Sequence, residues 1–222
     1  RLAHDVLKTT TIDYVKHNDH SFGDDILRVN DVSPNAIGAH SVGIAPKGDG
    51  HGIDSMADRI RRGDVKALIV MNEDLASHSP ALAEAAASVE TLIVLASHDS
   101  VTAKQANILL PTATWAEADG TFTNMMHRVQ RFQPAVVTTE NQRTMGLKMS
   151  RWDKFGAPND RWSNGERRDC KPAWNIVKQI AAALGTNWSY TSGSDVFADI
   201  TKHVSPFAGM SYELLDAHQG LV

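Results

Sequence analysis

Three short apolar runs constrain this chain more than any other feature of it: residues 67–71 (ALIVM), 91–96 (TLIVLA) and 107–111 (NILLP). Each has the length of a strand and no polar interruption. That is the pattern of a strand covered on both faces rather than of one with a wet side. Between the first two lies ALAEAAASV at 81–89, helical by propensity, with Ser79-Pro80 ahead of it as a start signal. Between the second and third, residues 101–105 are read as a short helix. Parallel strands need crossovers of about a dozen residues, which helices usually supply. The alternation therefore predicts an α/β fold: an open, mainly parallel sheet with helices on its faces.

Sheets of this kind bind ligands beyond the C-terminal ends of their strands. The loops at those ends are 72–79, 97–102 and 111–124, and they hold the candidate site residues. The third loop is the densest, PTATWAEADGTFTN. After its Asp119-Gly120 turn signal, 121–123 and 128–132 read as two short strands joined at Asn124, a β-hairpin. His98, Asp99, Glu117 and Asp119 are the side chains from which an acid–base set would be drawn. No nucleophile stands at a strand-to-helix elbow, so ordinary loop polar residues are the expectation.

The flanks are less patterned. His17 and His20 have the spacing that puts two imidazoles on one helical face, but Asn, Asp, Ser and Gly surround them and a loop is expected. Residues 25–29 alternate like a strand. Residues 33–54 carry five glycines and two prolines and read as a compact irregular loop; Gly48, Gly50 and Gly52 follow Lys47, but no strand leads in as a phosphate loop requires. Residues 54–63 form an amphipathic helix, capped by Asp54 and stopped by Gly63. Residues 138–171, with Trp152 and Trp162, have no clear period and read as an irregular insertion. Residues 172–185 are the clearest amphipathic helix, with Trp174, Val177, Ile180, Ala181 and Leu184 on one stripe. A second helix is expected over 195–203, and a locally packed tail over 205–222. The chain is thus read as one domain, with an α/β core over 25–137, the insertion, and a C-terminal helical part over 172–222.

A net charge of -4 leaves no basic footprint for nucleic acid. No apolar run approaches the roughly 18 residues of a membrane span. Cys170 is the one cysteine, too few for an internal disulfide or for the roughly four ligands of an iron–sulfur cluster. The chain opens Arg1-Leu2-Ala3 without an initiator Met, so it is expected to begin inside a longer protein.

The block ANILLPTATWAEADGTFTNMMHRVQRFQPAV resembles one family, the molybdopterin oxidoreductases and their relative, the large iron–sulfur G subunit of NADH:quinone oxidoreductase (complex I). The matching positions are Thr102, Ala103, Ala106, Leu110, Pro111, Glu117, Gly120, Thr121, Phe122, Asn124, Arg128 and Gln130. Upstream, SPNAIGAHSVGIAP is similar to a stretch of the complex I subunit. Downstream, AWNIVKQIAAALG is similar to the family's D-W-x-I helix, with Ala173 in place of the Asp.

In cofactor-binding members this region forms a Rossmann-like domain that holds the guanine dinucleotide half of the molybdopterin cofactor. The resemblance thus implies a piece of a larger subunit, with a mainly parallel Rossmann-like core over 25–137 and helices on both faces of its sheet. The resemblance accordingly implies cofactor-binding roles for Asn72, Glu73, Asp74, His98, Asp99, Thr102, Asn124 and Arg128, with no catalytic or metal-binding residue. Six positions of these loops depart from the family: Asn72 stands for a Gly, Ala96 for an Asp, His98 for an aromatic, Val101 for a Glu, and Met126-His127 for Glu-Gly. These departures favour the complex I branch. There the chain would be an inactive scaffold holding no cofactor, packed against the iron–sulfur-bearing remainder of its subunit and other hydrophilic-arm subunits. It would be cytoplasmic and peripheral to the inner membrane, and would bind no guanine nucleotide tightly. The alternative is part of a molybdopterin guanine dinucleotide-binding oxidoreductase such as a formate dehydrogenase.

Overall fold

The computed structural model describes residues 1–15, 34–44, 52–136, 138 and 170–222. His17 and His20, the strand-like 25–29, the glycines at 48 and 50, and the insertion with Trp152 and Trp162 lie outside the described residues.

The architecture is mixed α/β. Strands β1 (Ala67–Met71), β2 (Thr91–Ala96) and β3 (Ile108–Pro111) form a parallel sheet in that order. The register sets Leu68 beside Leu92 and Val70 beside Val94, and Val94 in turn beside Leu109. One face of the sheet carries Leu68, Val70, Leu92 and Val94, all buried. Four helices cover it: α2 (Ile53–Arg61), α3 (Leu75–His78), α4 (Pro80–Ala86) and α5 (Val101–Gln105), through Met56, Ala57, Ile60, Leu75, Leu82, Ala85, Ala86 and Ala103. The other face is deep only at its middle: Leu95 is fully buried, whereas Met71 and Ile108 are each 45% exposed; on the covered face, Leu109 of β3 is 52% exposed. Beyond β3 the chain continues along its outer edge, where the Ala113 N–H and the Thr112 hydroxyl both donate to the Lys171 carbonyl.

A second core lies around the hairpin β4 (Gly120–Thr123) and β5 (Val129–Phe132), helix α7 (Gly193–His203) and helix α8 (Tyr212–His218). Val129, Phe197, Phe207, Tyr212 and Leu215 are its buried members. The residues read from sequence as a mixed tail thus supply a helix and also a strand-like contact, since Val129 and Leu221 exchange two backbone hydrogen bonds. Gly220 makes that contact possible. Its φ is +109°, and a Cβ there would fall 2.7 Å from the Val129 carbonyl oxygen.

Three expectations are corrected. The loop read over 33–54 contains helix α1 (Ala36–Ser41). Asn35 precedes it at φ 65°, and its side-chain oxygen accepts the Thr123 N–H at 2.8 Å, so a long-range bond holds a helix that its glycines disguise. Asp54 lies inside α2, whose N-cap is Gly52. In α6 (Ala173–Ala183) the deep residues are Ile176 and Ala181; Trp174 is half-buried and Leu184 is 54% exposed. Periodicity identifies the helix, but its tertiary neighbours decide which edge of the stripe lies deepest. A charge at Trp174 would meet a half-buried site rather than the core.

Candidate functional site

The first loop leaves the sheet through a fixed point. Asn72 adopts a left-handed backbone, φ 51°, which Asn tolerates better than most residues, and its N–H donates to the Leu95 carbonyl at 2.7 Å. Glu73 follows, mostly covered, with Oε1 2.8 Å from Nδ1 of His78. Asp74 then turns back toward the second loop. Its Oδ1 accepts the Thr102 hydroxyl at 2.8 Å and the Thr102 N–H at 3.2 Å, and its Oδ2 accepts the Ser77 hydroxyl at 2.7 Å. Thr102 is buried, 1% exposed.

The second loop is short and self-contained. Ser100 caps α5 by accepting the Ala103 N–H at 3.0 Å. Together with Asp74 it fills the first donors of that helix with protein acceptors. His98 is exposed, with Nδ1 3.2 Å from the Ser97 hydroxyl. Asp99 pairs with Lys104 at 3.1 Å, both side chains largely in water.

In the third loop, Glu117 Oε2 accepts the Thr114 N–H and hydroxyl, both at 3.0 Å, forming a capping box. Asp119 makes a bidentate pair with Arg131. The acid–base set drawn from His98, Asp99, Glu117 and Asp119 is therefore not assembled; each of these side chains has a different local partner. Among the described residues no group of three or more His, Cys, Asp or Glu side chains is arranged to hold a metal ion. No helix among them is long and apolar enough to cross a membrane.

The hairpin turn is built by Asn124. Its Oδ1 accepts the N–H groups of Met126 and Arg128, each at 2.9 Å. His127 sits in the left-handed region at φ 62°, where the family carries glycine, so the turn keeps its shape with some backbone strain. The Arg128 side chain is exposed and forms no ion pair with a described residue. The hairpin packs on α1, α7 and α8.

The eight residues singled out from sequence thus divide. Asp74, Thr102 and Asn124 spend their polar atoms on internal hydrogen bonds, and Glu73 is engaged by His78. Asn72, His98, Asp99 and Arg128 stay open to solvent. Sequence reading missed Ser77 and Ser100, although Asp-x-x-Ser and Ser-x-x-Ala are local patterns of a side chain bonding three residues along.

The hydrogen bonds at Asp74, that from Ser77 foremost and then those from Thr102, hold its carboxyl below the usual carboxylate range. Because the folded-state pKa is depressed, the stabilisation is present above the unfolded value of about 3.9 and disappears as pH falls through the folded one. In an acid titration followed by circular dichroism, Asp74→Asn should flatten the stability change below about pH 4 relative to the wild type. Identical acid profiles would contradict that assignment.

A parallel sheet with three loops gathered at one end, one of them opened by a left-handed residue, defines an open α/β domain, the class of fold in which ligands bind at the C-terminal ends of the strands. This chain belongs to the molybdopterin oxidoreductase family, whose model matches residues 27–145, more than half of it. It is 31% identical over 170 residues to a putative formate dehydrogenase of Bacillus subtilis, YrhE, which covers 74% of this chain. It is 35% identical over 116 residues, 51% of the chain, to the alpha subunit of an F420-dependent formate dehydrogenase of Methanococcus maripaludis. A putative formate dehydrogenase of Staphylococcus haemolyticus is 27% identical over 179 residues, 79% of the chain. The matches span 14%, 13% and 15% of those proteins. These relatives favour the formate dehydrogenase alternative over the complex I reading.

Proposed function

We propose that this chain is the nucleotide-facing part of a formate-dehydrogenase-type molybdopterin oxidoreductase. In this reading the C-terminal edge of β1–β3 faces the guanine dinucleotide half of the cofactor. The observation that carries it is the similarity to the putative formate dehydrogenase YrhE of Bacillus subtilis along 74% of the chain. The edge supplies a partial fit. Asp99 is a carboxylate able to accept the N–H groups of a guanine, and its surface pair with Lys104 is weak enough to open, at about 0–1 kcal/mol. Arg128 is a guanidinium with no ion pair among the described residues, suited to an anion. His98 offers a ring to stack or a nitrogen to bond. Ala96, at the end of β2, contributes no acceptor.

When bound, the cofactor supplies the two-electron chemistry of formate oxidation. The residues of this chain hold and orient its nucleotide end. Few open groups imply a modest local affinity, with the remainder supplied by the larger protein.

Calorimetric titration of the 222-residue chain with GDP is the test. The expected dissociation constant is on the order of 0.1–1 mM. ADP should bind about tenfold more weakly, and Asp99→Ala should abolish the difference. Absence of saturable binding at ~10 mM GDP, or equal affinity for ADP, would overturn the reading.

A further inference from the structure

We propose that Asp74 is a positioning residue and not a ligand: its carboxylate locks the loop after β1 to the first turn of α5, so that the two loops meet a ligand as one unit. An ionised carboxylate offers about four lone-pair sites. At Asp74 the Thr102 hydroxyl and N–H occupy Oδ1 and the Ser77 hydroxyl occupies Oδ2. These three donors take most of its accepting capacity, and little is left over for a nucleotide.

The partner residue explains the arrangement. Thr102 is 1% exposed, and its hydroxyl and amide both find their acceptor on Asp74. A buried donor left without an acceptor is expensive, so the tie between the loops is strong for its size. The tie also places a negative charge where the first turns of α3 and α5 converge. A phosphate is thereby excluded from that spot, and the ligand is left with the groups that remain open, Asp99 and His98, on the same loop that Asp74 fixes. This part of the inference rests on the nucleotide-edge reading; the tie itself does not.

The experiment uses the 222-residue chain in five forms: wild type, Asp74→Ala, Thr102→Val, the double variant, and Thr102→Ser. Amide hydrogen exchange reads the tie. Thr102 should exchange about tenfold or more faster in Asp74→Ala, and Thr102→Ser, which keeps the hydroxyl, should restore wild-type protection across the loop after β1. GDP titration reads the positioning. Asp74→Ala and Thr102→Val should weaken binding by a similar factor, about tenfold, and the double variant should bind no more weakly than either. Unchanged Thr102 protection in Asp74→Ala overturns the proposal. So does a loss of GDP binding in Asp74→Ala that Thr102→Val does not share, since that is the behaviour of a direct ligand. If the wild type binds no GDP, the nucleotide reading fails while the exchange data still decide for or against the tie. Thr102→Val keeps the chain's charge, so it remains informative if Asp74→Ala does not fold.

Discussion

Replacing Arg131 by alanine should lower the unfolding free energy by about 3 kcal/mol, among the largest single effects in the chain. Arg131 makes a bidentate pair with Asp119 at 3.0 and 3.1 Å and a third bond to Asp216 at 2.6 Å. Its guanidinium also lies 4.3 Å from the Tyr212 ring centre. The Arg131 and Asp119 side chains are only 15% and 10% exposed, so this is not a solvent-screened surface pair. Burial alone would make the guanidinium easier to deprotonate; Asp119 and then Asp216 outweigh it and hold its pKa above the ordinary value. Removing the cation leaves Asp119 covered and unpaired, which is the costly case. Lysine cannot reproduce the fork, so Arg131→Lys should recover less than half of the loss. Urea melts of the three proteins provide the check, and a loss below ~1 kcal/mol would show that water reaches the pair.

Leu92→Ala should cost a similar amount, about 3 kcal/mol, by a different route. Leu92 is 2% exposed on the central strand, with Leu68 beside it on β1 and the α2–α5 layer above. Its removal leaves a cavity that a sheet flanked by short helices fills poorly. Leu109, 52% exposed on β3, is the control: its truncation to alanine should cost less than ~1 kcal/mol. Equal losses at the two positions would mean that β3 is as well packed on this face of the sheet as the central strand.

The parallel sheet was legible because its signal is local. Three uninterrupted apolar runs can satisfy their backbones and bury their side chains in few other ways, and β1, β2 and β3 fall within one residue of the runs. The hairpin was legible for the same reason. Helix α1 was not, because its stability comes from Asn35 reaching Thr123, 88 residues away. The tail was obscure on the same account: Tyr212 and Leu215 become a core only when Phe197 and Val129 arrive beside them. At the candidate site, sequence named the loops at the strand ends but could not distinguish side chains left open to solvent from those that hold the loop. Asp74 and Asp99 are alike as letters. One is saturated by Thr102 and Ser77, the other rests on a surface lysine. Resemblance went astray at its finest level, where substitutions such as Ala96 pointed to the complex I branch while the relatives carry formate dehydrogenase names.

The hairpin's long-range ties also carry a cost in the order of assembly. Strands β2 and β3 meet across 15 residues at Ile93 and Ile108, whereas Asn35 and Thr123 are 88 apart and Arg131 and Asp216 are 85 apart. By the logarithmic scaling of loop closure, bringing such distant ends together costs about 1.5 kcal/mol more than the short crossover. The aromatic cluster of Phe197, Phe207 and Tyr212 has to offset that difference before the second core can hold. The sheet and its ligand loops therefore have the entropic advantage of forming first, and the Asp74–Thr102 tie, spanning only 28 residues, belongs to that early half of the molecule.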